Sequence, residues 1–196
     1  MKKMLLLAAA LCLTAGALAQ APHKYGIKCG IVKTVTVNKY GTKSYNTTWF
    51  DDYGAKERSV TSMDSGNDIG TVEWVAIAPG DGKVYMLDDT HKIATATASG
   101  QINYLNMPED VAKARKAKVI GEETVDGRKC VKWEEHIKQL LQTSTQITWV
   151  WQGIPIKYTI DKPKSETTLV ELKQPKSIPA STFAIPDGYT VKELKK

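Results

Sequence analysis

The stretch Ile147-Thr148-Trp149-Val150-Trp151-Gln152-Gly153-Ile154-Pro155-Ile156-Lys157-Tyr158-Thr159-Ile160 decides the fold class. Two runs of β-branched and aromatic residues flank Gln152-Gly153, a pair suited to a tight turn. Side chains alternate between faces along a strand, so Ile147, Trp149 and Trp151 share one side of the first run. Ile154, Ile156, Tyr158 and Ile160 share one side of the second. A hairpin with so apolar a face has to be covered by a helix, by the opposite wall of a curved sheet, or by a ligand.

The same rhythm continues in both directions. Upstream, strands are predicted over 27–38 and 43–53, joined by Asn38-Lys39-Tyr40-Gly41, then over 58–63 and 71–78 across the polar loop 64–68. Pro79-Gly80-Asp81-Gly82 turns the chain into 83–87, followed by 91–97 and 101–105. Further strands are predicted over 119–125, 129–137, 145–151, 154–160, 167–173 and 189–194, with Asp126-Gly127 as a turn. One helix interrupts them: Pro108 suits its start, Glu109 and Asp110 complement its N-terminal dipole, and Lys113, Arg115, Lys116 and Lys118 load its later part. Its apolar face, Val111, Ala112, Ala114 and Ala117, is thin, as in a helix resting on a sheet. The segment 134–142, rich in Glu, Lys, Gln and Leu, admits a second helix. An antiparallel sheet of about a dozen strands curls, splits into a sandwich or closes into a barrel.

Composition agrees with one globular domain: 196 residues, 42% hydrophobic and 24% charged, which excludes collagenous and low-complexity classes. A mean hydropathy of −0.31 leaves no room for several membrane spans. Lys2 and Lys3, the apolar run 4–13 and the small-x-small site Ala17-Leu18-Ala19 match a secretory signal peptide, so 1–19 is expected to be a leader and 20–196 the mature domain. The apolar run is too short for a transmembrane segment. Leu11 before Cys12 argues against a lipoprotein leader. The net charge of +6 falls to +4 without the two leader lysines. Periplasmic localisation follows. The mature chain keeps Cys29 and Cys130; in an oxidising compartment one disulfide is the economical pairing, and two buried free thiols are the alternative. A bridge closing about 100 residues would stabilise by about 4–5 kcal/mol on the chain-entropy model.

Catalytic and metal patterns are weak. His23, His91 and His136 are not spaced as ligands, and no nucleophile elbow or phosphate-cradling loop is present. Asp51-Asp52 and Asp88-Asp89 sit beside turns, where Asp is favoured for its backbone hydrogen bonds. The basic run 113–118 reads as a solvated helix face or a contact for anionic head groups, and no stacked-aromatic motif accompanies it to suggest nucleic acid. Neither an enzyme nor a cofactor is expected. The aromatic set is the remaining signal: Trp49, Trp74, Trp133, Trp149 and Trp151, with Tyr158, each read either as core or as the wall of a pocket for an apolar ligand with a polar head.

Four segments carry a family resemblance. They are Gly121-Glu122-Glu123-Thr124-Val125-Asp126-Gly127-Arg128-Lys129-Cys130-Val131-Lys132-Trp133, the Thr148-Trp149-Val150-Trp151-Gln152-Gly153-Ile154-Pro155-Ile156-Lys157 hairpin, the run 169–172, and the ending Ile178-Pro179-Ala180-Ser181-Thr182-Phe183-Ala184-Ile185-Pro186-Asp187-Gly188-Tyr189. Together they resemble the LolA/LolB-like periplasmic lipoprotein-carrier superfamily, and within it an uncharacterised secreted branch. The resemblance covers the last 70 or so residues well and the first half by strand rhythm alone. It implies a half-barrel, a strongly curved antiparallel sheet with helices closing a concave side that holds acyl chains in the carriers. The chain departs from the carriers in offering one clear helix where they have several lid helices, and no residue matches a carrier's lid-latching arginine. The expectation is a mainly β, exported binding module that holds a lipid, acyl chain or other apolar envelope component against Trp49, Trp74, Trp133, Trp149, Trp151 and Tyr158. The alternative is an envelope protein that takes a partner polypeptide in its groove or by strand addition.

Overall fold

Alternation of apolar and polar residues, punctuated by Gly, Asn and Asp turns, produces twelve strands among the described residues, which in the computed structural model are 23–64, 71–99, 102–138 and 142–194. They are β1 (Gly30–Asn38), β2 (Lys43–Asp51), β3 (Lys56–Asp64), β4 (Thr71–Ala78), β5 (Lys83–Asp88), β6 (Ile93–Ala98), β7 (Lys118–Val125), β8 (Arg128–Lys138), β9 (Thr143–Trp151), β10 (Ile154–Asp161), β11 (Lys164–Lys173) and β12 (Thr190–Glu193). The leader 1–19, Gln101 and most of the polar loop 64–68 lie outside the described residues.

One sheet holds all twelve in the order β12-β6-β5-β4-β3-β2-β1-β11-β10-β9-β8-β7, and it does not close on itself. This is the curved half-barrel with a helix. Every pairing is antiparallel except the last: β12 returns after a long connection and adds parallel to β6, Thr190 opposite Ile93. The segment 134–142 is not helical as far as it is described, because β8 runs through Lys138 and pairs with β9. The predicted strand 101–105 is also corrected. Asn103 Oδ1 accepts from the backbone N–H groups of Leu105 and Asn106, and both Asn amides donate to the carbonyl of His23, folding the segment into a turn.

The helix α1 (Glu109–Arg115) starts after Pro108, has Glu109 and Asp110 in its first turn, and ends at Lys116 in a left-handed conformation. None of its residues is fully buried.

Opposite partners in a sheet point the same way, so the register assigns two faces. Thr48 faces with Val32 and Ser59; Trp49 faces with Ile31 and Arg58. After β11 the chain runs beneath the second of these faces. Ile178 and Phe183 pack on Cys29, Ile31 and Trp49, and farther along Ile185 and Tyr189 pack on Tyr85, Leu87, Ala94 and Ala96. This outer strap covers the convex side of the first-half strands and delivers β12 to the edge.

The two cysteines are not bridged. Cys29 stands just before β1 and Cys130 on β8, four strand positions apart, about 19 Å along the sheet at roughly 4.8 Å per strand, where a disulfide needs Cα atoms within about 7 Å. Each is a buried free thiol: Cys29 donates to the carbonyl of Pro175 (3.0 Å) and Cys130 to that of Arg128 (3.3 Å). Burial pushes both thiols up from their ordinary pKa.

Candidate binding site: a polar pocket on the concave face

A hollow of about 650 Å³ lies on the face opposite the strap. Its lining comes from β3 at one side and β9 at the other, five positions apart in the sheet, so the sheet bends around it. Short polar side chains make much of its floor: Thr34 and Thr36 from β1, Ser44, Asn46 and Thr48 from β2, Ser59 and Thr61 from β3, and Gln146 and Thr148 from β9; Tyr25, Val32, Ile102, Ile154 and Pro155 line the rest. Period-2 spacing within each strand and direct pairing between strands put these polar groups on one side. Neighbouring groups bond to one another. Asn46 Nδ2 donates to Ser59 Oγ (2.7 Å) and Thr61 Oγ1 (2.8 Å), Thr48 Oγ1 donates to Asn46 Oδ1 (2.9 Å), and Thr36 and Thr167 share a 2.6 Å hydroxyl bond.

Two ion pairs flank the floor. At one end the segment before β1 crosses the trough: the N–H groups of Lys24 and Tyr25 donate to the carbonyl of Tyr53, and that of Gly26 to the carbonyl of Gln152. This places Lys24 Nζ 2.7 Å from Glu57 Oε1, with only 5% of the Glu57 side chain exposed. Burial lowers the pKa of Lys24 against the opposing pull of Glu57, and raises that of Tyr25 well above its usual range. At the other end Glu135 of β8 is fully buried beneath α1. Arg115 Nε donates to its Oε1 (2.7 Å), Tyr104 Oη to its Oε2 (2.6 Å), and Gln146 Nε2 lies 3.3 Å from Oε2. Burial, reinforced by the Glu135 carboxylate, pushes the Tyr104 phenol well above 10. Each buried carboxylate therefore has a cation beside it, as a buried charge requires.

The aromatic residues named from the sequence divide between the faces. Tyr158 lines the hollow. Trp74 is directly opposite Thr61 and Trp133 directly opposite Thr148, so both are on the concave side; Trp133 meets Tyr104 ring to ring at 5.8 Å. Trp49 and Trp149 point to the convex side, while Trp151, opposite Ile154 at the hairpin end, packs on the buried cluster that holds Tyr25 and Ile154. Trp49 lies under the strap, Lys132 and Lys157 lie over Trp149 at 4.6 and 4.9 Å from its centroid, and Arg128 lies over Trp151. The Trp149 side of the β9–β10 hairpin is thus covered from outside by long cationic side chains, while Ile154 and Ile156 are buried in the core with Tyr25, Val32 and Phe50. A register shift between Pro155 and Lys157 puts Tyr158 on the other side from Trp149.

Beyond Ser59 and Thr61 the concave face turns apolar. Trp74 and Val72 on β4 and Met86 on β5 form an open strip, with Trp74 and Met86 each 42% exposed. The acidic pairs serve turns: Asp51 Oδ1 accepts from the N–H of Asp52, Asp88 from the N–H of His91, and Asp89 from Tyr189 Oη (2.7 Å). Among the described residues no group of three or more His, Cys, Asp or Glu is placed to hold a metal, and no helix is long and apolar enough to cross a membrane.

The sequence reading missed the hydroxyl-and-amide floor. Its signal was present: Thr34/Thr36, Ser44/Asn46/Thr48 and Ser59/Thr61 repeat a short polar group every second residue in three consecutive strands.

No protein-family model and no curated protein matches this sequence. Solved structures do. An uncharacterized conserved protein from Thermus thermophilus is similar over 85% of this chain and 91% of its own, at 9% identity and a TM-score of 0.53. LprF from Mycobacterium bovis (14% identity, 79% and 90% covered, TM-score 0.38) and a putative outer membrane lipoprotein-sorting protein domain from Vibrio parahaemolyticus (10%, 80% and 89%, TM-score 0.35) are also similar. At these identities the likeness is one of fold.

Proposed function

We propose that the chain is an exported, non-catalytic binding module whose concave face takes an amphipathic molecule of the cell envelope. The polar part sits in the hydroxyl-lined hollow and the apolar part lies along Val72, Trp74 and Met86. One observation carries this reading: the hydroxyl-and-amide floor of the hollow and an exposed apolar strip share one face and adjoin, since Thr61 pairs with Trp74 and Ser59 with Ala76, itself opposite Met86. A purely apolar ligand in the hollow would strip water from the Thr, Ser and Asn groups without replacing their hydrogen bonds. A purely polar ligand would leave the strip bare. The leader-like start supports export, and the sequence resemblance to periplasmic lipoprotein carriers agrees with a lipid-type ligand.

The test is a chain-length series of n-alkyl glucosides, C6 to C10, titrated below micelle formation and followed by tryptophan fluorescence. Each methylene that reaches the strip adds up to about 0.8 kcal/mol, close to fourfold in Kd. Trp74→Ala flattens that slope. Affinity indifferent to chain length would overturn the reading.

Partner binding by strand addition would use one of the two sheet edges, the four-residue β12 or the longer β7. The β7 edge carries Lys118, Glu122 and Glu123 in ion pairs with β8 and an irregularity between Val119 and Gly121, features that blunt an edge against pairing. The concave face is the better-supported site.

A further inference from the structure

We infer that the polar part of the bound molecule is a neutral polyhydroxyl group, a glycosyl or polyol head, and not a phosphate or carboxylate. The inference rests on the amphiphile reading above and specifies its head group. Two features of the pocket carry it, its charge balance and the direction of its hydrogen bonds.

Charge comes first. The cationic groups at its two ends, Lys24 and Arg115, are each engaged at 2.7 Å by a buried carboxylate, Glu57 and Glu135. An anionic head would have to compete with these carboxylates for their cations while losing its own hydration, so the electrostatic balance favours an uncharged group.

Direction comes second. Asn46 orders the floor around itself. Because Ser59 and Thr61 accept its two N–H groups, their own O–H protons are not spent on Asn46 and can serve as donors to a ligand. Because Thr48 gives its proton to Asn46 Oδ1, with Ser59 Oγ as a longer 3.4 Å alternative, its lone pairs are left as acceptors. Donors and an acceptor therefore stand side by side around one amide. A hydroxyl both donates and accepts, so neighbouring hydroxyls of one ligand satisfy both kinds of site. A phosphate dianion or carboxylate accepts only and leaves Thr48 unanswered. Sites built to hydrogen-bond a specific group discriminate strongly, because the wrong ligand leaves buried polar atoms unpaired.

Three probes with one chain and different heads test this on the mature chain: n-octyl glucoside, n-octyl phosphate and octanoate, each below micelle formation, by calorimetry. Octyl glucoside is expected to bind at least tenfold tighter than either anion. Asn46→Ala and Thr61→Val should shrink that preference to under threefold; Thr61→Val, which swaps a hydroxyl for a methyl of similar size, keeps the test available if Asn46→Ala fails to fold. Equal affinities, or a preference for either anion, would overturn the polyhydroxyl head and leave the amphiphile reading standing. Methyl glucoside binding as tightly as octyl glucoside would do the reverse. Binding of none of these would overturn both.

Discussion

Gly153 closes the β9–β10 hairpin at φ +78°, following Gln152 at +50°, the backbone a two-residue turn demands. Its missing side chain has a second use. A Cβ there would stand 2.3 Å from the carbonyl oxygen of Lys24 and 2.9 Å from Leu105, the two segments that close the end of the trough. Gly153→Ala is therefore expected to cost about 2–4 kcal/mol by adding overpacking to backbone strain. Gly127→Ala, at φ +73° with nothing within 4 Å, should lose only the strain component, so equal losses in urea titrations would show that the close approach does not matter. Cysteine gives a second expectation at this scale. Since Cys29 and Cys130 sit far apart as buried thiols held protonated, dithiothreitol should leave Tm unchanged and native-state alkylation should be slow; a fall in Tm of several degrees would mean a bridge forms. Residue counting alone could not choose between thiols and bridge, because the answer lies in the strand order separating β1 from β8.

At the scale of elements, α1 is lightly anchored. It buries none of its own side chains, and Arg115, one of the cations read from the sequence as solvating the helix or meeting anionic head groups, reaches instead to Glu135. Glu135→Gln keeps the shape but removes the charge, which should cost about 1–3 kcal/mol, tempered by the partial exposure of Arg115. The sharper readout is hydrogen exchange: amides of 109–116 should lose protection in Glu135→Gln while those of β8 and β9 keep theirs, and unchanged protection in the helix would sink this role. Strand positions were legible because Val, Ile, Thr and Trp alternate with polar residues between Gly- and Asp-bearing turns. Which side would become the inside was not. Alternation puts Trp149 opposite in direction to Thr148 but carries no sign of curvature, and the irregularity at Ile156 breaks the parity that would relate Tyr158 to Trp149. The hollow consequently received the hydroxyl face of β1 to β3 while Lys132 and Lys157 covered the indole face.

For the molecule as a whole, the pH dependence follows from its surface carboxylates. The Tyr85 hydroxyl lowers Asp81, the His91 backbone N–H lowers Asp88, Lys92 lowers Asp89, Lys118 lowers Glu134, and Lys173 with Lys33 lowers Glu171. Folded values below the ordinary 3.8 and 4.5 mean that the stabilisation is complete above those pH values and is lost as pH falls through the folded ones. Melting curves should therefore be flat from pH 7 to about 5 and drop progressively below; a Tm that holds or rises toward pH 3 would contradict these pairings. Fold class was readable from the sequence at this scale, since so many short strands require a large sheet. The parallel addition of β12 to β6 was not, because a four-residue strand says nothing of its partner nearly a hundred residues away.

That late pairing orders events in time. Lys83 donates across to Glu193 (2.5 Å), and Thr190 lies against Ile93, so the first-half edge stays raw until the tail has emerged and swung under the sheet. A chain arriving N-terminus first, whether from a ribosome or through a membrane pore, spends the interval with β6 unguarded. Its own β12 is the latecomer that covers β6.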